Sequence, residues 1–374
     1  MRATFQRVTL SLILFVLLFV ATPCAAAQEG APPVFNAFSC PKTLTLCGER
    51  MPLENPDIFE MLDREFTVMV WDHARVFMLL KRAARYFPFI EKALRDAGMP
   101  DDLKYLAVAE SSLIPYARST SGALGHWQFI PETGQRKGLR KDHSVDERMA
   151  LERSTEAAII YLTQLKEMLG SWTLAMAAYN CGENRLGKEI REQKVADYYR
   201  LNLPTETERY IFRIAAIKVI LENPRRYGYI LPEEHLYKPL KFDTVPVSIS
   251  SSVHITDLAQ AIGTDFKVIK ELNPELLGYH LPTGQYNLKV PAGSGTNAVA
   301  ALAQLNHGAP AAAPPNNSNP APANHSAQGF YVVQPGDTLT RISTVTGVPA
   351  ERLKALNGIQ DSHIEVGQKL RLAP

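Results

Sequence analysis

The stretch Pro100-Asp101-Asp102-Leu103-Lys104-Tyr105-Leu106-Ala107-Val108-Ala109-Glu110-Ser111 decides how this chain is read. Proline suits the first turn of a helix, and two aspartates suit the positive end of its dipole. Leu103, Leu106 and Ala107 then fall three and four residues apart and mark an inward stripe. The next position on that stripe is Glu110. A carboxylate on the buried face of a helix is costly unless it is paired, protonated or lines a cleft. On spacing alone, an ion pair with a buried arginine explains Glu110 as well as a catalytic role does.

Reading outward, Pro115 disfavours helix at Ile114, so the helix ends soon after Glu110. Ser119, the glycines Gly122 and Gly125, then Trp127, Gln128 and Phe129 follow at once. An acid, hydroxyls, an amide and aromatic rings so close together are the mixture that a sugar site requires. Helical periodicity runs from Pro56 to Tyr227. Met69, Val76, Phe77, Leu80 and Ala84 belong to a segment expected to stop near Pro88, with Phe89 to Ala97 continuing the pattern. Ser154 opens a helix closed by Gly170, Trp172 to Tyr179 is another, and Thr205 with Glu208 reads as a capping box for a helix to about Leu221. An all-α domain over residues 54–230 is expected, behind an N-terminal extension, 28–53.

After Pro232 the pattern changes. Residues 244–291 read as strand, helix, helix, strand, and 330–373 repeat that order. Between them, 293–328 is rich in Ala, Pro, Asn and Ser and reads as a linker. The fold class is therefore mainly α: an all-α domain followed by small βααβ modules.

At the N-terminus, Arg2 and Arg7 precede an apolar run from Val8 to Ala21, and Ala25-Ala26-Ala27 follow. This reads as a signal peptide over 1–27, with export to the periplasm or cell envelope. An uncleaved anchor helix and a lipid anchor on Cys24 are the alternatives, either of which associates the protein with a membrane; Pro23 fits lipid processing poorly. Cleavage leaves Cys40, Cys47 and Cys181, of which Cys40 and Cys47 are spaced to allow a disulfide without requiring one. Of the 374 residues 46% are hydrophobic, and the net charge is +2 with Lys+Arg 40 against Asp+Glu 38. Those values exclude wholesale disorder and argue against nucleic acid as a partner. The nine histidines are scattered, so neither metal nor cofactor is implied.

Glu110-Ser111, Ser119 and Gly122-Ala123-Leu124-Gly125-His126-Trp127-Gln128 together resemble the E-S…S…G-A-x-G-x-x-Q signature of lytic transglycosylases with the goose-type lysozyme-like fold. Ala177-Ala178-Tyr179-Asn180-Cys181-Gly182 resembles the A-Y-N-x-G motif of that family, and Glu206-Thr207-Glu208-Arg209-Tyr210 its E-T-x-x-Y motif. His126-Trp127 departs from the Leu-Met of many relatives. Tyr331 to Leu339 and Leu356-Asn357-Gly358 resemble a LysM module, while 244–291 is similar to a degenerate copy lacking the Gly-Asp-Thr turn.

The resemblance implies cleavage of the MurNAc-β-1,4-GlcNAc bond of peptidoglycan, leaving 1,6-anhydro-MurNAc ends, with the glycan strand as partner. Glu110 is then both acid and base, and Ser111, Ser119, Gln128, Tyr179, Asn180 and Tyr210 bind substrate or orient the acid. In the LysM module, Gly336, Asp337, Thr338, Leu339, Asn357 and Ile364 are the implied glycan contacts. Ordinary glycosidases pair two carboxylates. Asp142, Asp146 and Glu147 sit in a charged loop and read as caps or structural pairs. A muramidase of the same fold, which admits water, and a non-catalytic peptidoglycan-binding scaffold are the competing readings.

Overall fold

The structure is a computed structural model that describes residues 38–306, 330–333, 337–359, 361, 364–365 and 367–373. The expected signal peptide, Cys24, residues 307–328 of the expected linker and Gly336 lie outside the described residues. The chain divides into two units, 1–309 and 310–374.

The first unit opens with a hairpin, β1 (Thr45–Leu46) and β2 (Glu49–Arg50). Cys47 sits in its turn in the left-handed region, φ 52°, and its N–H donates to Asp102 Oδ2 at 2.7 Å. Cys40 lies near Asp63 instead, and burial pushes its thiol up to about 12. Cys40 and Cys47 are free, buried thiols, so the disulfide that their spacing allowed is not formed.

Asn55 caps α1 (Pro56–Trp71) by accepting from the N–H of Asp57. Asp72 ends α1 and caps α2 (His73–Asp96) through the N–H of Arg75. The break therefore falls at Asp72, and α2 runs through Pro88 where a stop was expected. An interior proline costs about 3 kcal/mol. Continuing the helix buries Ile90 and Leu94 completely, worth roughly 1.5–3 kcal/mol each, which offsets that cost.

A 3-10 turn, Asp101–Leu103, leads into α3 (Lys104–Ser111), which ends in two left-handed residues, Ser112 and Leu113. After α4 (Pro131–Arg136) come α5 (Leu151–Leu169), α6 (Trp172–Cys181), α7 (Glu183–Gln193) and α8 (Thr205–Glu222). Helix α8 packs on α1, α3 and α6, and α5 packs on α6. Ala107, Ala175, Ala177, Ala178, Ala215 and Ala216 are fully buried in this core, and such small side chains let helix backbones approach closely. The capping box at Thr205 is not formed. Pro204 holds the cap position, its carbonyl accepts the N–H of Glu208, and Thr205 is already helical.

The same unit continues into a βααβ module. Strand β3 (Phe242–Ile249) leads to β4 (Val253–His254), α9 (Ile255–Ala261), α10 (Phe266–Leu272), β5 (His280–Leu281) and β6 (Gly284–Pro291). β3 and β6 pair antiparallel with Val245 opposite Leu288, and β4 pairs with β5. The chain then forms α11 (Gly295–Asn306), which packs on β3 and α9 and buries Ala298, Ala301 and Leu302. The expected linker thus does not begin at 293. Its alanines favour helix, and three residues of one face find the module core.

The second unit holds β7 (Phe330–Val332), α12 (Leu339–Thr346), α13 (Ala350–Asn357) and β8 (Lys369–Arg371), with β7 antiparallel to β8. Val333, Leu339, Ile342, Leu353 and Leu370 form its core. An asparagine clips each module at the same place. Asn273 donates to the carbonyls of Ile269 and Lys289 and accepts from the N–H of Lys289, while Asn357 makes the equivalent bonds to Leu353 and Arg371. Asn273→Ala, which leaves buried backbone groups unpaired, is expected to cost about 2–3 kcal/mol in the first module. Urea unfolding followed by amide exchange of residues 266–291 measures it.

Candidate active site

Glu110 stands on the last turn of α3, where α3 meets α8. Tyr210 of α8, 1% exposed, donates its hydroxyl to Glu110 Oε1. Desolvation dominates here and pushes the Glu110 carboxyl up to about 7; the Tyr210 hydrogen bond and the charge of Arg213 act downward, and Glu206 acts upward. Burial also pushes the phenols of Tyr179 and Tyr210 well above their ordinary range, with the charge of Glu110 adding to it. Both phenols therefore remain neutral donors. The site holds a carboxyl that is protonated in a large fraction of molecules near neutral pH, the state a general acid requires.

One wall of the cleft is the loop between α3 and α4. Gly125 has φ +85°, and a Cβ there would lie 1.9 Å from the carbonyl oxygen of Arg148, so only glycine fits. Gln128, also left-handed at φ 49°, donates its amide to the carbonyls of Ala117 and Gly125, both at 2.8 Å. Tyr179 donates to the Trp127 carbonyl at 2.7 Å, and Trp127 Nε1 donates to Thr155 Oγ1 at 2.9 Å. Ser119 Oγ accepts from the N–H of Ala123 and shares a bond with Ser121. Asn180 Oδ1 accepts from Thr207 Oγ1 at 3.0 Å.

Glu110, Ser119, Gln128, Tyr179, Asn180 and Tyr210 together line one cleft of about 700 Å³, a size typical of ligand sites. Ser111 does not join them. Its buried hydroxyl donates to the carbonyls of Ala107 and His126 and accepts from the N–H of Leu113, so it ties the helix end to the loop. Asp142, Asp146 and Glu147 cap and pair within their loop: Asp142 accepts from Ser144 and Val145, Asp146 binds Arg148, and Glu147 accepts from Arg140.

Two further acids line the cleft: Glu206, which opens the E-T-x-x-Y motif but was given no role at the site, and Glu183, which the sequence did not single out. Glu183 accepts from Tyr161 at 2.6 Å; burial pushes it up, but that bond and nearby Arg136 outweigh burial and hold it below its ordinary value. Glu206 is exposed at the rim. Glu206 and Thr207 stand in the E-T-x-x-Y motif itself, and Arg213, three residues beyond Tyr210, is found by the helical repeat through Tyr210. Tyr161, from α5, carried no such signal.

In the second unit, Leu339 belongs to the core, and Asn357 spends its amide on the clip described above. Both side chains thus serve the fold of this unit, Leu339 through packing and Asn357 through its amide. Tyr331 donates to Asp337 Oδ2 at 2.8 Å, and Thr338 Oγ1 caps α12. Ile364 packs partly buried against the core.

Comparison with known proteins finds the transglycosylase SLT domain over residues 87–202 and the LysM domain over residues 331–373. The chain is 31% identical over 297 residues to membrane-bound lytic murein transglycosylase D of Escherichia coli K12, and equally to that of strain CFT073. The match takes in 78% of this chain and 64% of those relatives, so the chain spans less than two thirds of their length. Peptidoglycan transglycosylase gp16 of Escherichia phage T7 is 37% identical over 105 residues, 27% of this chain and 8% of that protein. A solved structure of lytic transglycosylase Slt from Pseudomonas aeruginosa matches 40% of this chain and 26% of its own, at 20% identity and TM-score 0.29.

The raised carboxyl has a consequence for stability. Between its ordinary value of 4.5 and about 7, folded molecules hold a proton on Glu110 that unfolded chains have released. This contribution is present below 4.5 and is lost as pH rises through about 7, at most roughly 3 kcal/mol. Glu110→Gln, which stays neutral, is expected to melt higher than the parent at about pH 8, with the gap closing toward pH 5. Calorimetric melting across that range checks it.

Proposed function

We propose that this chain, which carries a transglycosylase SLT domain and a LysM domain, is a peptidoglycan lytic transglycosylase. The observation that carries the reading is the desolvated Glu110 carboxyl held by Tyr210 on the cleft. In its protonated form Glu110 gives its proton to the glycosidic oxygen between MurNAc and GlcNAc. As the bond from C1 to that oxygen breaks, the acetamido oxygen of MurNAc stabilises the cation. Glu110, now a carboxylate receiving the Tyr210 hydrogen bond, takes the proton from the C6 hydroxyl. Oxygen O6 attacks C1 and closes the 1,6-anhydro ring, and Glu110 is again protonated.

In this reading Ser119 and Asn180 face the sugar, and Gln128 offers it the amide oxygen, its N–H groups being committed to the loop. Tyr210 orients the acid. The LysM domain holds the enzyme on glycan strands, and residues 1–27 export it to the periplasm or cell envelope. A hydrolytic muramidase is the second reading, because exposed Glu206 on the same cleft gives a water molecule an available base.

Mass spectrometry of muropeptides from purified sacculi separates the two. Anhydro products, lighter by one water, are expected; reducing ends support hydrolysis. Glu110→Gln is expected to lower turnover by about 10²–10⁴-fold. For the parent, kcat/KM is expected to fall as pH rises through about 7, where the acid loses its proton. Removing residues 330–374 is expected to release the protein from sacculi in a sedimentation assay while leaving cleavage of short soluble glycans intact.

A further inference from the structure

Arg148 lies in the charged loop between α4 and α5, outside the motifs that pointed to the cleft. It is 3% exposed. Its Nε and Nη2 donate to the two carboxylate oxygens of Asp146 at 2.8 and 2.7 Å. Its Nη1 donates to the carbonyl of Gly122 at 2.8 Å and to that of Phe129 at 2.9 Å. Those two carbonyls sit at either end of the loop segment that carries Trp127 and Gln128. One guanidinium thus closes the cleft wall, and the Arg148 carbonyl lies against Gly125 in its middle.

The far side of this bolt is held by the first module. The Asp146 N–H donates to the Glu275 carbonyl, and the Leu277 N–H donates to the Ser144 carbonyl, both at 2.8 Å. Val145 pairs with Leu276 between them, and its side chain, 2% exposed, is part of the module core. Lys289 Nζ reaches Glu152 Oε2 at 2.7 Å, tying β6 to the first turn of α5. A buried ion pair adds little net stability over apolar packing. What a planar guanidinium supplies is direction, with several donors in a rigid fork.

We infer that Arg148 is a positioning residue for the cleft wall, and that the module 242–306 is its brace. The inference rests on the proposed reaction only for its effect on turnover. Two substitutions in the full chain test it. Arg148→Lys keeps the charge and loses the fork, and Val145→Ser loosens the seam from the module side without touching the cleft. Amide exchange of residues 122–129 is expected to accelerate at least about tenfold in both, because the loop opens without its anchor. In both, kcat is expected to fall about tenfold or more with little change in KM, because misplacement of about 1 Å misaligns acid and sugar. Melting temperature stays within a few degrees. Parental exchange in folded Arg148→Lys, or a lower melting temperature with unchanged kcat per folded molecule, overturns the positioning role. Parental exchange in Val145→Ser alone overturns the brace. If the parent itself makes no anhydro product, the reaction reading fails while loop exchange still decides the brace.

Discussion

The hydrogen bond between Tyr210 and Glu110 is the contact on which the site depends, because it joins the two helices that keep the acid dry. Desolvation alone would leave an ionised Glu110 with no compensation once it has given up its proton. A phenol that stays neutral serves both states: it donates to the carboxylate and does not repel the protonated form. Arg213 adds a modest opposing charge and Glu206 a supporting one, and the carboxyl comes to rest near neutrality. A cation in direct contact would have lowered it much further.

Around that contact the labour is divided by element type. Helices α3 and α8 set the acid, and the loop of residues 117–130 sets the wall that faces it. The loop has almost no regular structure and is held by side chains that bond to its carbonyls: Tyr179 at Trp127, Gln128 at Ala117 and Gly125, and Arg148 at Gly122 and Phe129. Several polar groups that a motif marks as important are therefore spent on shaping the wall. Ser111 belongs entirely to this class.

How much of this was legible in the sequence follows from the range of each signal. Glu110 sits on a local stripe, and its helix ends where Pro115 said it should. The module order of strand, helix, helix, strand also follows local patterns, and the paired strands agree with it. The misreadings lie where tertiary packing overrules a local rule. Pro88 does not stop α2, because the buried stripe continues beyond it, and the alanine-rich start of the expected linker folds because β3 and α9 offer it a face. Cys40 and Cys47 have compatible spacing, yet both are free thiols, Cys40 near Asp63 and Cys47 near Asp102. The Arg148 anchor reaches carbonyls 19 and 26 residues away, and no periodicity announces such a bond.

The central claim is that Glu110 holds a proton near neutral pH, and a direct titration tests it. Carbon-13 NMR of the glutamate side-chain carboxyls, with Glu110→Gln assigning the resonance, gives the midpoint in the folded protein. The account predicts a midpoint near 7. A midpoint near the ordinary glutamate value of 4.5 would contradict it.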